Sequence, residues 1–138
     1  MKIIFFILLA YLTLACNTCV AQNRQKTYNT QDIYGSWVII GMWNNERYIP
    51  TLGATKHTMG IMFRGNACYI TMGEDVSYYE FKIFNGNLVK AYLEENDKPS
   101  FTLRLLSVKR EQEIVGILTF CDDNSSTKVK LANVFIGE

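Results

Sequence analysis

From Ser36 onward, apolar and polar residues alternate with a period of two, the spacing of a strand that buries one face. Turn residues interrupt this alternation and divide the chain into eight segments, roughly 36–43, 57–64, 67–73, 77–84, 88–94, 100–108, 113–121 and 126–135. The breaks have identifiable chemistry. Arg64-Gly65-Asn66, Gly73-Glu74-Asp75, Asn85-Gly86-Asn87 and Asp122-Asp123-Asn124 supply residues that tolerate positive φ or form Asx turns. No segment sustains a helical period, and both prolines, Pro50 and Pro99, fall outside the segments. Eight short strands joined by tight turns predict an all-β domain, a small antiparallel up-and-down barrel. A seven- or eight-stranded sandwich is the main rival.

Alternation also assigns faces. Tyr79, Phe81 and Ile83 oppose Tyr78, Glu80 and Lys82, and Phe101, Leu103 and Leu105 oppose Thr102 and Arg104. Val129 and Leu131 oppose Lys128 and Lys130. Met59, Ile61 and Phe63 share the inside with Trp37 and Ile39, joined by Ile114, Leu118 and Phe120 if Gly116 marks a bend in that strand. An eight-stranded barrel holds either its own side chains or one small ligand. The inward set here is bulky and aromatic, which predicts a full interior.

The N-terminal part has a different pattern. Met1-Lys2 is a short positive start, and Ile3 to Ala15 is an apolar block of signal-peptide length. Thr13-Leu14-Ala15-Cys16 looks like a bacterial lipobox, with Cys16 as the acylated residue. The rival is cleavage after Ala21, which gives a soluble exported chain. Residues 16–31 are mostly polar and unpatterned, the composition of a tether. The expected organisation is a signal peptide over 1–15 (or 1–21), a tether over 16–31 and a barrel over 32–138.

About 107 residues from Asp32 onward make one domain with one core. Net charge is +1 with both signs interspersed, so nothing points to nucleic acid. Cys68 and Cys121 are the two domain cysteines, a candidate disulfide in an exported protein. In an up-and-down barrel they fall at opposite ends, which argues against a bridge needing Cα atoms within about 7 Å.

Catalytic chemistry has little to stand on. His57 is the only histidine, with no suitably spaced Cys, Asp or Glu for a zinc site or a triad. The carboxylates Glu74, Asp75, Glu94, Glu95, Asp97, Asp122 and Asp123 cluster at turns, where solubility and turn geometry explain them. No phosphate-binding or dinucleotide fingerprint occurs. The expectation is a protein that is not an enzyme, with no cofactor and no metal.

Binding has a better candidate. Asn44 to Lys56 is the longest irregular segment in the domain, and long loops on rigid scaffolds are where binding resides. Arg47, Tyr48, Ile49, Pro50 and Leu52 are the candidate partner-binding residues, with Arg47 or Tyr48 suited to a specificity pocket. The plainer alternative is a lid whose apolar residues complete the core. Strand parity puts this loop at one end with 73–76, 95–99 and 122–126, a composite rim.

Asp32-Ile33-Tyr34-Gly35-Ser36-Trp37 resembles the first motif of the lipocalin and calycin families. The resemblance implies a lipocalin-like barrel in which Trp37 plugs the closed end. The chain departs from those families later, with no Thr-Asp-Tyr motif, no closing arginine and no helix after the last strand.

The whole chain is similar in architecture and length to the potempins, small bacterial outer-membrane lipoproteins that inhibit endopeptidases secreted by the same cell. That resemblance implies a monomeric envelope protein, held to the membrane by an N-terminal lipid, that inhibits a serine or metallo endopeptidase through loops at one rim. The alternative is a lipocalin-like carrier of a small apolar ligand.

Overall fold

In a computed structural model, which describes residues 26–51, 59–94 and 96–134, the alternating segments become antiparallel strands. They are β1 (Gly35–Asn44), β2 (Arg47–Pro50), β3 (Met59–Arg64), β4 (Ala67–Met72), β5 (Asp75–Phe84), β6 (Leu88–Tyr92), β7 (Phe101–Lys109), β8 (Glu113–Phe120) and β9 (Ser125–Asn133). Each pairs with its successor from β3 to β9, and β1 pairs with both β3 and β9. Eight strands thus close on themselves as an up-and-down barrel, and β2 is a ninth strand outside the ring.

The inward residues form one core. Trp37, Ile61, Phe63, Cys68, Phe81, Val89, Phe101, Leu103, Ile114, Leu118, Val129 and Leu131 are all buried. Phe63 and Phe81 meet edge to face with centroids 4.9 Å apart, as do Tyr79 and Phe101 at 5.3 Å. Each such burial contributes about 1.5–3 kcal/mol. The register of β7 on β8 shifts between Leu105 and Ser107, beside Gly116, which faces Leu105. A β-carbon on Gly116 would lie 2.7 Å from the Arg104 carbonyl oxygen, so the irregularity expected at this glycine is a bulge in its partner strand.

One end is closed by the chain that leads into β1. Asn29 caps a 3₁₀ helix (Thr30–Ile33): the Asp32 N–H donates to its side chain at 3.1 Å, and its own N–H donates to the Asp32 carboxylate at 2.9 Å. Ile33 is wholly buried, and its carbonyl accepts the Trp37 indole N–H at 2.7 Å. The Tyr28 N–H donates to the Gly86 carbonyl at 2.6 Å. That bond ties the segment ahead of the 3₁₀ helix to the β5–β6 turn at the barrel end.

The expected long connection after the first strand is only partly irregular. Asn45 and Glu46 both take positive φ, 49° and 67°, and close a two-residue hairpin that pairs Asn44 with Arg47 and Gly41 with Pro50. Arg47, Tyr48, Ile49 and Pro50 thus lie in β2, a strand where a loop was expected. The proline is tolerated because the Gly41–Pro50 pair exchanges no hydrogen bonds: the Thr51 N–H donates to the Ile40 carbonyl at 2.9 Å, and bonded pairs alternate from there.

Candidate binding rim

Antiparallel closure places the turn at 45–46, the turn at 73–74, the connection 93–100 and the turn at 121–124 at one end, opposite the 3₁₀ helix. In the β1–β2 hairpin all four residues of β2 are exposed. Its base is a bulge: the register of β1 on β9 skips between Ile39 and Gly41, leaving Ile40 as the extra residue. Beyond the bulge, Met42 pairs with the inward Val129, and Trp43 pairs with the outward Lys128.

The two faces of the hairpin differ accordingly. On the outside, the rings of Trp43 and Tyr48 meet at a tilt of 54° with centroids 4.8 Å apart. Lys128 lies over Trp43 at 4.6 Å and Lys130 over Tyr48 at 5.5 Å. Lys130 is also held by Glu113 at 2.7 Å. Contacts of this kind contribute about 0.5–1 kcal/mol each at exposed positions. Tyr48 therefore rests on the barrel's own wall. On the mouth side, Met42 and Ile49 remain 37% and 43% exposed, with Arg47 on the same side by register.

Met72 is 53% exposed, Leu93 44% and Phe120 39%, and these too lie at this rim. Below them the inward side chains are buried. A groove of about 450 Å³ runs under the 93–100 connection, lined by Tyr79, Leu93, Pro99, Phe101 and Phe120, with Asp97, Lys98 and Asp122 at its edge. Its floor is Phe101, which pairs with Phe120. The sequence places these rings on the inner face but carries no sign that they adjoin, since the cross-strand register brings them together.

Cys68 and Cys121 are free thiols, so the candidate disulfide is not formed. Cys68 lies beside the β3–β4 turn at the closed end and Cys121 follows β8 at the rim, the separation that strand parity requires. Burial pushes the Cys68 thiol up to about 12. In the β8–β9 turn, the Ser125 side chain and its N–H, the latter at 3.0 Å, donate to Asp123 and hold its carboxyl below the usual carboxylate value.

Leu52, His57, Glu95 and Cys16 lie outside the described residues. Among the described residues, no three His, Cys, Asp or Glu side chains gather as a metal site requires. Trp37 sits at the closed end with its indole N–H satisfied. Comparison of the chain with protein-family models finds no match, and comparison with curated proteins finds none.

Proposed function

We propose that this chain is an exported binding protein that works through its open rim, and that it inhibits a secreted endopeptidase by occupying the cleft without covalent chemistry. One observation carries the reading. A hairpin braced by the Trp43–Tyr48 contact stands exposed at the rim that also carries the apolar side chains of Met42, Ile49 and Met72. Pre-organised, exposed segments on a rigid scaffold bind with little loss of ordering entropy. Lipidation at Cys16 would hold the barrel at the outer membrane of a bacterial envelope, where secreted enzymes pass.

The groove beneath the 93–100 connection favours a second reading, a carrier of a small apolar ligand. Its volume and its aromatic lining with a few polar groups suit such a ligand.

Titrating the chain into serine and metallo endopeptidases of its own secretome separates the two. Stoichiometric loss of one activity supports inhibition and names the class. Full activity with the chain in excess, together with saturable binding of an apolar fluorescent probe, moves the carrier reading forward.

A further inference from the structure

Closing a sheet into a barrel removes its edges, and here β2 restores one. It pairs with β1 alone, and among the described residues no strand lies along its other side. The hydrogen-bond alternation fixed by Thr51 and Ile40 turns the backbone of Arg47 and Ile49 toward β1. The N–H and C=O of Tyr48 therefore both point outward. Pro50 faces the same way and has no N–H to offer, so Tyr48 holds the donor of this edge.

The surroundings of Tyr48 make this edge a built feature. Its ring is fixed against Trp43 and lies across Gly41, so the backbone beside it is held in place. Arg47 and Ile49 project on the mouth side, exposed, to flank whatever lies alongside.

We infer that the free edge of β2 is the docking strand for the partner, which adds an extended segment of its own backbone through the N–H and C=O of Tyr48. The chemical complement of an outward donor and acceptor on one residue is another extended backbone, which adds to a sheet edge by main-chain hydrogen bonds while neighbouring side chains give specificity. This inference rests on the inhibitor reading and changes one part of it. The Tyr48 backbone makes the contact while its side chain stays on the barrel wall, and Arg47 and Ile49 are the residues that reach partner pockets.

The test compares the chain with its Tyr48→Ala and Tyr48→Pro variants against the endopeptidase that the chain inhibits. Alanine removes the ring and keeps the N–H; proline removes both, at a position where edge strands accept it. Proline should weaken inhibition at least tenfold beyond alanine, with the two variants melting within a few degrees of each other. A second measurement covers a proline variant that does not fold: amide exchange at Tyr48 in the unaltered chain should slow at least tenfold when the peptidase binds. Equal inhibition by both variants with unchanged exchange at Tyr48 overturns the docking assignment and leaves inhibition standing. If the unaltered chain inhibits no peptidase, the inhibitor reading falls and the docking assignment falls with it.

Discussion

The phenol ring of Tyr48 occupies the space that a β-carbon on Gly41 would need. Gly41 is buried, and Tyr48 sits diagonally across the hairpin from it, beside its direct partner Trp43. Gly41→Ala should drive Tyr48 off the wall, because the ring is the movable partner in that clash. The expected result is loss of the Trp43–Tyr48 contact, seen as a change in near-ultraviolet circular dichroism, with a modest stability cost of about 1 kcal/mol. An unchanged spectrum would mean that the ring is not held there.

Glu46 takes φ of 67° at the hairpin tip, a region costly for a residue with a side chain. Glycine fits that position without strain. Glu46→Gly should therefore stabilise the chain by about 1 kcal/mol in urea unfolding. Destabilisation would show that the carboxylate does something at the tip that outweighs the backbone cost.

Trp37 couples the 3₁₀ helix to the barrel through one hydrogen bond in a dry site. Trp37→Phe leaves the Ile33 carbonyl without that donor and leaves a void where the larger ring lay. The expected loss is about 2–4 kcal/mol by chemical denaturation. A loss below about 1 kcal/mol would mean that the closed end tolerates its absence.

Cys68 is raised from the ordinary thiol value of 9.0 to about 12 by burial. The unfolded chain then releases this proton at lower pH than the folded one. Stability from this group is fully present below pH 9 and is lost as pH rises toward 12, by about 1.4 kcal/mol per pH unit. Cys68→Val should flatten that part of the pH profile relative to the unaltered chain. In a parallel check, a thiol reagent should label Cys121, which is only partly buried, in the native state and Cys68 only on unfolding.

The groove offers a further check. Phe120→Asp places a carboxylate beside Phe101 on an apolar lining and should abolish saturable binding of an apolar probe while leaving the barrel folded. Probe binding that survives the change would place the probe elsewhere.

Local sequence determined the eight strands of the ring, because period-two alternation and turn residues act within a few positions of each other, whereas the β1–β9 pairing that closes the ring and excludes a sandwich is tertiary. It placed Tyr79, Phe81, Leu103, Ile114 and Leu131 on the inner face and the rim loops at one end, and strand parity already set Cys68 and Cys121 apart. Two local signals were present but outweighed. Asn45-Glu46 lacks the glycine that usually marks a two-residue hairpin, and Pro50 argued against a strand, so Arg47–Pro50 read as loop. Only tertiary pairing decided that β2 forms, because its partner residues in β1 were free beyond the end of β3 to accept it. The groove and the free edge have the same origin. Both depend on which strand ends meet in space, through the Phe101–Phe120 register and the Ile40 bulge, and neither relation is written in the spacing of residues along one strand.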